Sequence, residues 1–172
     1  MIEGGKGGAL TKSGLHFEKR KDILKMLAQM DEYDVQDKVI YYKGERMARS
    51  IRKHDLYKYL KEEGVDWREI ISKKLLPDEA LLVYHEKTVY IIEMKFQKVE
   101  GSVDEKLQTC DFKKKQYQKL FQPLDLKVEY LYVLNDWFGD KRYKDTINYI
   151  DSVDCKYYFE DLPLQDIGLI KE

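Results

Sequence analysis

Cysteine is scarce in this chain. Only Cys110 and Cys155 occur, and neither belongs to a CxxC or Cys/His cluster, so a zinc site or a disulfide framework is not expected and both should be reduced core residues. No stretch approaches the roughly 18 to 20 uninterrupted apolar residues that a membrane span needs. The glycine-rich opening, Met1 to Gly8, has none of the layout of a secretory signal, so the reading is a cytoplasmic protein without a membrane partner. Net charge is also nearly absent: 31 Lys and Arg against 32 Asp and Glu. A global basic field therefore gives no support for nucleic-acid binding, and only the distribution of charge can. The three histidines, His16, His54 and His85, are scattered with no serine or cysteine partner in view and read as surface or core residues. Internal repeats and low-complexity tracts are missing as well.

What is present suits one compact domain across all 172 residues, with 1–13 as an N-terminal arm that is flexible or touches a ligand. Hydrophobic residues make up 43% and charged residues 37% of the chain, a balance that fits a globular fold with a real core. Fourteen tyrosines supply apolar area with a hydroxyl attached, suited to half-buried sheet and helix positions. Basic residues gather at Lys12 to Lys21, at Lys43 to Lys53 and at Lys106 to Lys119; taken singly, each is as well explained by a solvated face.

Along the chain, Ser13 predicts an N-cap for a helix over 14–30, with Phe17, Leu24, Leu27 and Ala28 on one side and Glu18 on another. A short strand is expected over 38–43, then a helix over 55–63 stopped by Gly64. Asp66 and Glu69 form a capping-box pattern for a further short helix to Leu75. Pro77 and Asp78 open an extended run over 80–85, Glu86 and Lys87 turn the chain, and 88–97 returns as a second strand. There Glu93, Lys95 and Gln97 alternate with Ile92, Met94 and Phe96, which puts polar groups on one face and apolar groups on the other. Ser102 and Glu105 cap a long helix over 103–121, one face buried and another carrying Lys106, Thr109, Lys113 and Gln116. A strand over 127–134, a helix over 143–150 and a strand over 156–159 complete an α/β fold: a central mixed β-sheet flanked by helices, with the long helix joining two parallel strands.

Chemistry concentrates on the hairpin. Fifteen positions separate Asp78 from Glu93, the span of two strands of about seven residues and a tight turn, so the entry of one strand meets the end of the next. Two carboxylates meeting there repel one another unless a cation neutralises them, and Mg²⁺ is typically held by one or two carboxylates plus substrate phosphates. Lys95 beside them offsets phosphate charge and orients or deprotonates a water. In-line hydrolysis of a phosphodiester is the reaction expected. Glu79, although adjacent to Asp78, should face the other way once the strand has begun.

Pro77-Asp78 with Glu93-Met94-Lys95 resembles the two motif halves of the PD-(D/E)xK nuclease superfamily, directly over residues 77–97. The segment Gly14 to Glu18 is similar to that superfamily's opening helix. Gln97 matches a variant with glutamine after the lysine, and the Thr11-Lys12-Ser13-Gly14 lead and the 101–106 segment resemble small type II restriction endonucleases. The resemblance implies a restriction-endonuclease-like core and a Mg²⁺-dependent, sequence-specific cut of double-stranded DNA, with Mn²⁺ as a substitute ion. It implies metal binding by Asp78, Glu93 and the Met94 carbonyl, water handling by Lys95, and a second metal or positioned solvent at Glu18. Products would carry 5′-phosphate and 3′-hydroxyl ends; a homodimer and, as a functional partner, a cognate DNA methyltransferase follow from it too. DNA contacts are expected among Lys12, Ser13, Arg46, Arg49, Gln97, Ser102, Lys106, Thr109, Lys113 and Gln116. A structure-specific nuclease and a non-catalytic DNA-binding module of nuclease fold remain the rival readings.

Overall fold

A computed structural model describes residues 10–11 and 14–171; the expected cap and contact residues Lys12 and Ser13, and the arm before Leu10, lie outside the described residues. The chain runs β1 (Leu10–Thr11), β2 (Gly14–His16), α1 (Ile23–Leu27), β3 (Tyr33–Gln36), β4 (Val39–Tyr42), β5 (Glu45–Ser50), α2 (His54–Glu62), β6 (Glu79–Val83) and β7 (Thr88–Lys95). It continues through α3 (Val103–Leu107), α4 (Cys110–Phe121), β8 (Lys127–Leu134), α5 (Lys144–Ser152), β9 (Lys156–Phe159) and β10 (Asp161–Pro163). Strands β3 to β9 form a seven-stranded sheet in sequence order, and β1, β2 and β10 form a small separate one.

The large sheet is mixed, as expected. Neighbours from β3 to β7 are antiparallel, whereas β7–β8 and β8–β9 are parallel, because α3, α4 and α5 carry the chain back across the sheet before each new strand. Alternation along the central strands feeds two cores. Ala80, Leu82, Val89, Ile91, Val128, Tyr130, Tyr132 and Leu134 pack beneath α2, α4 and α5. Leu81, Val83, Ile92, Met94, Leu131 and Val133 pack on the opposite face against Leu15, Phe17, α1 and the C-terminal residues Leu162 to Leu169. Both faces being covered explains why β6 and β8 read as almost unbroken apolar runs.

Three expected elements differ. The helix over 14–30 is a strand, a bend and the short α1: Leu15 and Phe17 are fully buried, and the backbone of β2 pairs with β10, so a partner about 145 residues away outweighs local helical spacing. The cap that starts α1 is Asp22, whose carboxylate accepts from the Leu24 and Lys25 amides at 2.9 and 3.4 Å. After Asp66 only one 3-10 turn forms, Trp67–Glu69, since the Tyr57 hydroxyl both donates to the Leu75 carbonyl and accepts from its amide, each at 2.7 Å. The helix over 103–121 breaks between Leu107 and Cys110. There the Thr109 hydroxyl donates to the Lys106 carbonyl at 2.8 Å, a local bond that competes with the helical ladder. The Ser102 side chain makes no capping bond. Strands β3 and β5 were not anticipated. Among the described residues no helix is long and apolar enough to cross a membrane, and both cysteines are buried and unpaired.

Candidate active site

The hairpin β6–β7 brings the two motif halves together. Glu79 lies opposite Ile92, so one further step of the antiparallel register puts Asp78 opposite Glu93. The Asp78 carboxylate fixes this junction by accepting from the Met94 amide at 3.0 Å. Glu93 and Lys95 share the face of Val89 and Ile91, under α4, and the Lys95 ammonium stands 3.5 Å from the Glu93 carboxylate. Both side chains are largely enclosed.

Glu93 is electrostatically uncomfortable. Burial raises its pKa first and the neighbouring Asp78 carboxylate raises it further, while the positive charges of Lys95 and Lys113 draw it down. Tyr117, one helical turn beyond Lys113 on α4, has its phenol pushed up by burial, by Glu93, by Tyr57 and by Asp78. Helix α4 therefore closes the site from above with a cation and an aromatic ring at i and i+4, which share a helix face. Lys113 was expected on the basic face; its bearing on Glu93, and that of Tyr117, are tertiary facts.

Arg20 was missed altogether. From the bend before α1 its guanidinium donates to the Met94 carbonyl at 3.0 Å and lies 3.4 Å from the Asp78 carboxylate. An arginine thus covers one of the oxygens that the resemblance would give to a metal. Its side chain is 61% exposed, so it can swing away without disturbing the core. The only sequence signal was a basic residue in the segment Lys12 to Lys21, and nothing there says which one folds back.

Glu18, expected on a helix face, sits exposed in a bend, and among the described residues no group of three or more His, Cys, Asp or Glu side chains converges on a metal position. The donor set is therefore two carboxylates and a backbone carbonyl. That set fits Mg²⁺, which keeps several waters and takes only one or two protein carboxylates, and it does not suit an ion needing an all-protein cage. The crowding of Glu93 by Asp78 is the observation that favours a cation there.

Glu79 faces the other side of the sheet, as anticipated. It is buried, with one oxygen accepting from the Ser50 hydroxyl at 2.6 Å and from the Ala80 amide at 2.9 Å and the other without a hydrogen bond. Arg52 stands 3.9 Å from it and 3.0 Å from Asp22. Burial pushes the Glu79 carboxyl up to about 7.

The expected DNA contacts scatter. Gln97 is 7% exposed; its amide nitrogen donates to the Val99 carbonyl at 2.7 Å and its backbone pairs with the Asn135 side chain. It shapes the loop after β7 and offers little side-chain surface for a contact with DNA. Arg46 stacks over Tyr84 and donates to its hydroxyl at 2.9 Å, and Arg49 pairs with Glu62 at 3.4 Å; both line a cleft of about 240 Å³ beside β5. Ser102, Lys106 and Thr109 are exposed, while Lys113 and Gln116 are half-buried. The break before Cys110 takes Lys106 off the helix that carries Lys113 and Gln116.

No protein-family model matches the chain, and no curated protein or solved structure does.

Proposed function

We propose that this protein is a Mg²⁺-dependent endonuclease of the PD-(D/E)xK kind with a restriction-endonuclease-like core. Double-stranded DNA is its substrate, and it works as a sequence-specific homodimer that needs two copies of the site to cut both strands. The observation that carries this reading is the register of β6 on β7, which sets Asp78 against Glu93 with Lys95 on the same enclosed face. Asp78, Glu93 and the Met94 carbonyl would hold the ion, Arg20 giving up the carbonyl. When bound, Mg²⁺ neutralises the carboxylate pair, stabilises charge developing on the phosphate and acidifies water.

The chain's own groups do the rest. Glu93 and Asp78 being occupied by the ion they would hold, the attacking water gives its proton to solvent. Lys95, tied to Glu93, holds that water and balances negative charge on the attacked phosphate. Water oxygen bonds to phosphorus, the bond from phosphorus to the 3′ oxygen breaks and that oxygen takes a proton from a second water, so the fragments keep a 5′-phosphate and a 3′-hydroxyl. Lys113 adds positive charge over the same face. The mixed sheet, with its hairpin followed by a crossover helix and a parallel strand, supports the proposed core.

The test is digestion of unmethylated plasmid by the purified protein with Mg²⁺ or EDTA, beside Lys95→Ala. Discrete fragments with Mg²⁺, none with EDTA and at least a hundredfold loss in the variant are expected. Binding without any cutting would replace the enzyme by a DNA-binding module, and cutting confined to branched substrates would replace sequence specificity by structure specificity.

A further inference from the structure

A cleft of about 760 Å³ lies apart from the carboxylate site. It opens along α2 and the 3-10 turn after it. Its walls include Tyr57, Lys58, Lys61, Trp67, Arg68 and Lys74. Tyr57 and Trp67 meet edge to face at 5.7 Å, and the Lys74 ammonium rests 4.9 Å from the first ring centroid and 5.2 Å from the second.

Charge in the cleft is only partly balanced. Lys58 shares the Asp55 carboxylate with Lys38, and Arg68 is held by Asp66 at 2.9 Å. Among the described residues Lys61 and Lys74 have no carboxylate within ion-pair distance. Lys74 is also fixed in place, because rings hold its ammonium without cancelling its charge and the Tyr57 hydroxyl clamps the backbone of Leu75 next to it. A pre-positioned, unneutralised cation over an aromatic wall suits a phosphate with sugar or base surface behind it.

The cleft and the carboxylate site lie on the same side of the large sheet. Tyr57 belongs to the same core as Tyr117 and as Val89 and Ile91, which share the β7 face of Glu93. Lys74 precedes Asp78 by four residues, so their Cα atoms are at most about 14 Å apart. At 3.4 Å of rise per nucleotide, that is at most about four steps along a strand.

We propose that this cleft is a track for the phosphate backbone of the DNA strand that enters or leaves the carboxylate site, with Lys61 and Lys74 each neutralising a phosphate. The proposal deepens the nuclease reading and rests on it for the identity of the polymer. Contact is with the backbone, so it holds register on the strand and carries no sequence preference.

The experiment measures binding of a short labelled duplex by fluorescence anisotropy in EDTA, where nothing is cut, across a series of salt concentrations. Wild type is compared with the Lys61→Gln/Lys74→Gln double variant, with Lys61→Arg/Lys74→Arg, and with Lys171→Gln, which alters a lysine paired with Glu45. Melting temperatures check that each variant folds. Loss of two phosphate contacts should flatten the slope of log affinity against log salt by about 1.8 in the Gln pair, with the Arg pair and Lys171→Gln following wild type. An unchanged slope, absent binding by wild type, or equal competition by an acidic peptide of matched charge would overturn the track. Parallel plasmid digests separate the two ideas. Cutting by wild type with an unchanged slope removes only the track, whereas a flattened slope with no cutting under any Mg²⁺ condition removes only the catalytic assignment.

Discussion

Two residues off the motif decide how the site behaves. Arg20 bonds the Met94 carbonyl and flanks Asp78, so its charge competes with any cation arriving there. In a water-like dielectric a unit charge about 4 Å from a divalent ion repels it by on the order of 2 kcal/mol. The exposure and mobility of the Arg20 side chain lower that to about 1 kcal/mol, a factor of about five in affinity. Calorimetric titration should therefore show Arg20→Gln binding Mg²⁺ roughly fivefold more tightly than wild type; equal or weaker binding would make Arg20 a bystander or a helper. Glu79 governs stability instead. Its carboxyl is pushed up to about 7 by burial from an ordinary 4.5, against the lowering pull of Ser50, Ala80 and Arg52 and with a small further rise from Asp22. Between those values the folded protein keeps a proton that the unfolded chain has lost. Its contribution is thus most favourable below pH 4.5, declines as pH rises to 7 and levels off above, by up to about 3 kcal/mol. In EDTA, Glu79→Gln should melt at the same temperature as wild type near pH 4.5 and higher above pH 7; parallel melting curves would contradict this.

At the scale of elements, the β6–β7 hairpin is braced at its turn as well as at its open end. Glu86 at the turn accepts from the Tyr90 hydroxyl, and the C-terminal segment closes over it at Gly168, which has φ +67. A Cβ there would come 2.6 Å from a Glu86 oxygen and 2.9 Å from Val83 Cγ1. Gly168→Ala should cost more than about 1 kcal/mol in urea unfolding, from the left-handed backbone and the clash together, and a neutral result would show that the turn yields. The hairpin, β8, β9 and α2 were legible in the sequence because each has its own period and its own stop. Strands β3 and β5 were not. The turn between β3 and β4 uses Asp37 and Lys38 at φ 47 and 66 in place of the usual Asn-Gly signal, and β5 alternates poorly because charged residues, Glu45, Arg46 and Arg49, interrupt it and a register shift disturbs β4 between Ile40 and Tyr41.

For the whole molecule, the chain's local pattern settled the α/β class, the mixed sheet and the meeting of Asp78, Glu93 and Lys95, because a hairpin's register follows from strand length and turn alone. Alternation likewise set Glu79 against the face of Glu93. What surrounds those residues was decided by contacts between distant segments: β2 pairing with β10 turned an expected helix into a strand and left Glu18 in a bend, and the bend before α1 delivered Arg20 to the Met94 carbonyl. The cleft under Lys74 exists because Tyr57 captures the backbone of Leu75 from another element. Local periodicity fixes which way a side chain faces within its own element, and only packing between elements fixes what it meets.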